Sequence, residues 1–316
     1  MTRLIDLNQI EEAYNRLRGI ANNTPITTSK AIDKRMSASV FLKCENLQRT
    51  GSFKFRGAYN ALFLLSPEER KRGVIAHSSG NHAQALALAA RSFDTSCIVV
   101  MPENSSKVKV NAVKGYGADI VMCAPNLKDR TDTANRLIAD KGYILIHPYD
   151  NENVIAGAGT ACYEMIKQVK NLDYIFCPIG GGGLISGTSI AASGLAPKSK
   201  IIGVEPEKAN DAYLSFASGK LVPNVSTYTI ADGLRTSLSQ KTFNIIRENV
   251  DEIVLVSEQE IVEAMRLLWE RMKLVVEPSG AVSLAGLLKG EVEVKRSKVG
   301  VILSGGNVDL EDFFEN

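Results

Sequence analysis

The sequence predicts an α/β fold built on mainly parallel sheets. Three observations carry this reading: nine short β-branched or apolar runs, helix-spaced stretches between most of them, and glycine-rich loops directly after two of the runs. The runs fall at 40–43, 74–78, 97–101, 119–123, 143–147, 174–179, 200–205, 252–257 and 298–304. Helical spacing marks 81–91, 107–116, 129–140, 160–169 and 258–272. Such an alternation implies right-handed crossovers between parallel strands.

In chain order, the run at 74–78 follows Gly73, and the run at 143–147 is followed by 148–154; these two places are the candidate domain boundaries. The run at 174–179 leads into four glycines and then a helix-compatible stretch at 185–192. The last run closes on Ser304-Gly305-Gly306-Asn307, which puts a hydroxyl at the end of a parallel strand, where α/β proteins hold their ligands.

The chain has 316 residues, 45% apolar and 23% charged, enough to bury one large core or two modest ones, and two domains are expected. Lysine and arginine number 37 against 35 acidic residues, and no basic tract suggests a nucleic-acid partner. The N-terminus lacks the order of a signal peptide and no apolar stretch approaches the ~20 residues of a membrane span, so a cytoplasmic location is expected. The five cysteines, at 44, 97, 123, 162 and 177, include no C-x-x-C pair and mostly sit in apolar runs, as reduced buried thiols do.

Four consecutive glycines, Gly180, Gly181, Gly182 and Gly183, carry no side chains to keep a ligand from the backbone. A glycine run alone also suits a flexible turn. Placed between an apolar strand and a helix, its amides can converge on a phosphate. The spacing matches neither a dinucleotide fingerprint nor a P-loop.

Lys54 follows a Gly51-Ser52 turn between Phe53 and Phe55. An isolated lysine is usually solvated, but aromatic flanks would desolvate the amine and favour the neutral form that attacks carbonyls. The segment Ser78-Ser79-Gly80-Asn81-His82 ends a strand and opens a helix, which suits a carboxylate. His82 and His147 lack metal-ligand spacing and no G-x-S-x-G is present, so zinc and serine hydrolases lack their apparatus.

Taken together, Gly51-Ser-Phe-Lys-Phe-Arg-Gly57, Ser78–His82, the glycines at 180–183, Ala231-Asp-Gly233, Glu270-Arg-Met-Lys273, Glu277-Pro278 and Ser304–Asn307 resemble the fold-type II pyridoxal-phosphate enzymes of the threonine/serine dehydratase and serine racemase group. The resemblance spans nearly the whole chain and is nearest the serine racemase branch. It implies a tryptophan synthase β-like fold of two open twisted sheets flanked by helices. A large domain would comprise 1–72 and 151–316, and a small mobile domain 73–150.

By that resemblance Lys54 carries pyridoxal 5'-phosphate as a Schiff base and Phe53 packs beside its ring. Asn81 bonds the ring hydroxyl, the amides of Gly180, Gly181, Gly182, Gly183 and Leu184 hold the phosphate, and Ser304 faces the ring nitrogen. A hydroxyl there stabilises a pyridinium poorly and favours prompt β-elimination. The implied reaction is dehydration and deamination of a β-hydroxy amino acid such as L-threonine or L-serine to a 2-oxo acid and ammonia. The substrate carboxylate would lie at Ser78, Ser79, Asn81 and His82.

Two residues widen the choice. Ser79 matches a serine of the racemases and could protonate the face opposite Lys54, making serine racemisation an alternative; it would also serve as a helix cap. Arg130 matches an arginine near the racemase substrate and suits the second carboxylate of 3-hydroxyaspartate, or is a solvated helix-start residue. Glu205, Ala209 and Asp211 match a racemase loop that ligates Mg2+ or Ca2+. Thr50, Tyr116, Lys273 and Asn307 match positions of an ATP effector site. The resemblance also implies a homodimer. A silent cofactor-binding protein and a β-replacement enzyme are the rival readings; the intact lysine and carboxylate loop disfavour the first, and the form of that loop the second.

Overall fold

The computed structural model describes residues 5–78, 80–105, 107–223 and 228–309. Among these residues ten strands are present: β1 Ile26–Thr27, β2 Ser39–Cys44, β3 Val74–His77, β4 Cys97–Pro102, β5 Asp119–Cys123, β6 Ile144–Leu145, β7 Tyr174–Pro178, β8 Lys200–Pro206, β9 Glu252–Val256 and β10 Lys298–Leu303. They form a six-stranded sheet in the order β1-β2-β10-β7-β8-β9 and a four-stranded sheet in the order β5-β4-β3-β6. Every pairing of these strands is parallel except β1 with β2. This is the α/β architecture expected, with β1 added as a two-residue edge strand too short for a periodic signal.

The last strand, β10, lies between β2 and β7, pairing Leu303 with Cys44 and Val301 with Phe176. β7 and β10 are buried along nearly their whole length, which is why they read as continuous apolar runs rather than alternating ones. The four-stranded sheet is formed wholly by 74–145. Its core also takes in Phe55, Tyr59 and Leu62 from the helix Lys54–Phe63. All five cysteines are free and buried, and burial pushes each thiol up. Among the described residues no helix is long and apolar enough to cross a membrane.

One helix departs from expectation. It begins at Glu152 rather than 160 and runs to Gln168, with Asn151 accepting from the amides of Asn153 and Val154 at its start. Gly157 and Gly159 look like helix breakers in sequence. In the fold they let three helices touch backbone to backbone: a Cβ on Gly157 would lie 2.5 Å from the Arg56 carbonyl oxygen, and one on Gly159 2.8 Å from that of Gly187. The packing gain outweighs a glycine cost of about 1 kcal/mol each.

Behind the helix Lys54–Phe63 lies a fully buried ionic cluster. Arg56 forks onto Glu45 (Nε to Oε2 and Nη2 to Oε1, both 2.8 Å) and onto Glu164 (Nη1 to Oε1 and Nη2 to Oε2, both 2.8 Å). Lys43 donates to Glu164 at 2.9 Å and to the Thr24 carbonyl at 2.8 Å. Burial pushes the Glu45 carboxyl up, but the charge and hydrogen bonds of Arg56, with Lys43 and Thr24, together outweigh it and leave Glu45 below the usual carboxylate range. Replacing Glu164 by Ala strands two buried cations on one remaining carboxylate. Glu164→Ala should lower unfolding free energy by about 3–5 kcal/mol, read from the urea midpoint.

Candidate active site

Lys54, Ser304 and the glycines of 180–183 converge because the ends of β2, β7 and β10 lie side by side. The Gly51-Ser-Phe turn is stitched to the end of β10: the Phe53 amide donates to the Ser304 carbonyl at 3.1 Å and the Gly306 amide to the Gly51 carbonyl at 2.9 Å. This fixes Lys54 at the first turn of its helix. Its Nζ donates to the Pro148 carbonyl at 3.0 Å and lies 4.9 Å from the Phe53 ring centroid. Burial pulls the amine down to about 8, against the opposing charge of Glu277. Phe53 supplies the aromatic flank expected of it, whereas Phe55 packs into the core against Tyr59.

The glycine loop leaves β7 and enters the helix Gly183–Leu195, which begins with no side-chain cap, so its first amides are open to an anion. Gly182 has φ +83, a conformation that favours glycine. A Cβ at Gly181 would clash with the Tyr149 ring and one at Gly182 would meet Thr242 at 2.7 Å. Leu184 follows, buried. Thr236 donates to the Tyr149 hydroxyl at 2.8 Å, which holds that ring against the loop. These close approaches and uncapped amides fit a phosphate group.

Asn81 opens the helix Asn81–Ser92, which is likewise uncapped by any side chain, behind Ser78 and Gly80. Asn81 donates to Glu277 Oε1 at 2.6 Å and accepts from Asn307 at 2.8 Å; Asn307 also donates to the Thr50 carbonyl at 2.7 Å. Burial pushes Glu277 up to about 8, with Asp232 adding to the effect. Ser304 is buried, its Oγ donating to the Ser279 carbonyl at 3.4 Å. The His82 side chain points into the interior, bonded through Nε2 to the Ile146 carbonyl at 2.8 Å, so position 82 offers the open face its backbone amide. Ser79 lies outside the described residues.

Arg130, on the helix Leu127–Lys141, is half-buried, with its Nε buried and finding no acceptor among the described residues. Its charge reaches His77 and Tyr149. Glu205 and Asp211 come together apart from this cleft. Glu205 accepts from the amides of Ala212 and Tyr213 at 3.1 and 2.9 Å, and Asp211 accepts from the Leu238 amide at 2.8 Å while its Oδ1 stays buried without a partner among the described residues. Burial pushes Glu205 well above the carboxylate range and Asp211 up to about 6. Ala209 is buried beside them. Of the effector positions, Thr50 and Asn307 are joined by the bond above, Lys273 folds its amine onto the Glu270 carbonyl at 2.6 Å, and Tyr116 packs against the core of the four-stranded sheet.

Sequence reasoning counts Glu277-Pro278 in the family resemblance and His77 in the run that precedes the carboxylate segment without giving either side chain a role, and it gives none to Pro148 or Tyr149. Glu277-Pro278 reads as an ordinary helix start, and the others belong to strand ends whose meeting depends on topology. Lys109 and Asp232 form an ion pair across the cleft that no local pattern marks.

The family described as pyridoxal-phosphate dependent enzyme matches residues 17–305. An L-threo-3-hydroxyaspartate ammonia-lyase of Saccharomyces cerevisiae is 49% identical over 303 residues, covering 96% of this chain and 93% of that protein. The crystal structure of the serine racemase of Dictyostelium discoideum superposes with a TM-score of 0.93 at 48% identity, covering 98% of this chain and all (100%) of the other. That of a T.th. threonine deaminase gives a TM-score of 0.91 at 40% identity, covering 96% and 99%. With Lys54, the uncapped glycine loop and the two mainly parallel sheets, this chain belongs to the fold-type II pyridoxal-phosphate dependent enzymes, in the group that holds serine racemases, hydroxyaspartate ammonia-lyases and threonine deaminases.

Proposed function

We propose that this protein is an ammonia-lyase that eliminates water from 3-hydroxyaspartate and releases a 2-oxo diacid and ammonia. The observation that carries the reading is the Arg130 guanidinium at the edge of the cleft, its Nε buried without an acceptor among the described residues. Threonine and serine have no second anion to offer it, so the preference for these two expected from the sequence gives way to a dicarboxylic substrate. The yeast ammonia-lyase at 49% identity supports the same choice. Serine racemisation is the second reading, supported by the racemase at 48% identity.

Bound pyridoxal phosphate supplies the electron sink that makes the substrate Cα–H bond acidic. The chain's own residues do the rest. Lys54 would hold the cofactor, and its Nζ is suited to take the Cα proton, as an amine drawn down to about 8. The amides of Gly180–Leu184 would take the phosphate, Phe53 would pack beside the ring, Asn81 would serve the ring hydroxyl and Ser304 the ring nitrogen. The uncapped amides of Asn81 and His82 would receive the α-carboxylate and Arg130 the second one. Closure of 73–150 over the cleft excludes water. Glu205, the Ala209 carbonyl and Asp211 would hold Mg2+ or Ca2+, a role fitted by the unpartnered Asp211 Oδ1 and by two carboxyls that burial disfavours as anions.

In the cofactor-free protein Lys54 should titrate near pH 8. Its reaction with an amine-acylating reagent is therefore expected to rise through pH 8, where ordinary lysines stay protonated until about 10; a Lys54 that tracks the other lysines would refute its desolvation. Cofactor-loaded protein should release 2-oxo acid faster from L-threo-3-hydroxyaspartate than from L-serine or L-threonine. Arg130→Met should cut the kcat/KM ratio of 3-hydroxyaspartate to serine by about 100-fold, the scale of a lost charge-assisted contact. Faster inversion of serine than deamination of any substrate would instead establish the racemase reading. Mg2+ should raise Tm by a few degrees in the wild type and not in Asp211→Asn.

A further inference from the structure

The chain's three histidines, at 77, 82 and 147, meet beside Lys54, though far apart in sequence. The His77 and His147 rings stand edge to face with centroids 5.8 Å apart, and His147 stands edge to face against Tyr149 at 4.6 Å. His147 leaves the end of β6, and its Nδ1 accepts the Asp150 amide proton at 2.8 Å. A backbone amide only donates, so Nδ1 carries the lone pair and the ring proton sits on Nε2. His147 is thus a neutral imidazole with one fixed donor.

Across from it, His77 Nδ1 is buried without a partner among the described residues, as is Arg130 Nε. The groups whose charge reaches His147 are His77, Asp150, Lys54 and Lys241; burial, followed by His77, holds the ring at about 4. Burial and Arg130 likewise keep His77 below the usual imidazole range. Buried polar atoms without partners are uncommon in folded proteins, and two of those in this one, His77 Nδ1 and Arg130 Nε, belong to groups whose charges act on each other. A carboxylate would satisfy them, one oxygen on Arg130 and the other on an imidazole N–H. His77 immediately precedes the segment that receives the α-carboxylate, so two carboxylate sites would lie next to each other at one strand end, as a four-carbon diacid requires.

We infer that His147, with His77 and Arg130, forms the pocket for the second carboxylate of a dicarboxylic substrate, and that the His147 Nε2–H is a specificity-determining donor in it. This rests on the 3-hydroxyaspartate reading and adds the residues that enforce it. Neutral donors suit the task, because they bind an anion by direction and leave monocarboxylic substrates no compensating charge to exploit.

With only three histidines, the imidazole nitrogen NMR spectrum of the holoenzyme reports on this cluster alone. Succinate is expected to shift the His147 and His77 signals, and acetate at equal concentration to leave them in place. His147→Gln, with its Tm and cofactor absorbance checked against wild type, should weaken succinate binding about tenfold. It should also raise KM for L-threo-3-hydroxyaspartate about tenfold relative to that for L-serine, with kcat little changed. Unmoved histidine signals with succinate, or equal changes in KM for both substrates, would overturn the inference while leaving the lyase reading intact. Succinate shifts that His147→Gln abolishes, in a protein that does not turn over 3-hydroxyaspartate, would uphold the pocket and remove the lyase reading.

Discussion

The position of the reactive amine depends on one buried interaction, the fork of Arg56 onto Glu45 and Glu164. Arg56 lies two residues beyond Lys54 on the same helix, and its guanidinium makes four bonds to two carboxylates carried by different elements. Glu45 follows β2 and Glu164 lies on the long helix Glu152–Gln168. A planar group held at both ends leaves that helix one roll angle, and so fixes the direction in which Lys54 leaves it. An apolar cluster of equal volume would match the stability without setting this angle. Lys43 completes the balance with a second cation, which is why two carboxylates can share the interior there.

With the helix fixed, the site is assembled from strand ends. β2, β7 and β10 are neighbours in one sheet and β3 and β6 in the other, and the carboxyl ends of all five deliver residues to one cleft. The glycine loop can take an anion because backbone, not side chain, faces it, and Tyr149 fills the other side so closely that no Cβ fits at Gly181. The Tyr149 bond to Thr236, the Asp150 contact with Ser239 at 2.9 Å and the Lys241–Glu152 pair at 3.2 Å draw the segment after β6 against the glycine loop's own neighbours.

Much of this was legible in the sequence. Nine of the ten strands, the glycine cradle and Lys54 all announce themselves locally, because apolar runs, glycine clusters and turns are short-range signals. Helical spacing places the start of the helix 152–168 eight residues late, since Gly157 and Gly159 lower helix propensity locally and are justified only by Arg56 and Gly187, neighbours distant in the chain. Glu277 beside Lys54 and the meeting of His77 with His147 were hidden for a related reason. Their significance lies in which strand ends are adjacent, and that order is set by β10 returning between β2 and β7 and by β3 separating β4 from β6.

The electrostatics of the cleft follow from its desolvation. Burial draws Lys54 down and Glu277 up to about 8 each, and pushes His82 to about 3 and His147 to about 4. Each of these groups is moved toward its neutral form, because a poorly solvated cleft tolerates few charges. A guanidinium cannot escape in this way, since it stays charged at any working pH even where burial pulls it down, as at Arg130. On the reading proposed above, it is the cation that a bound second carboxylate would compensate. A substrate with a second carboxylate supplies the compensation and a substrate with a methyl or a hydrogen does not. On that proposal, substrate choice would reduce to which molecule neutralises Arg130 without disturbing the neutral donors around it.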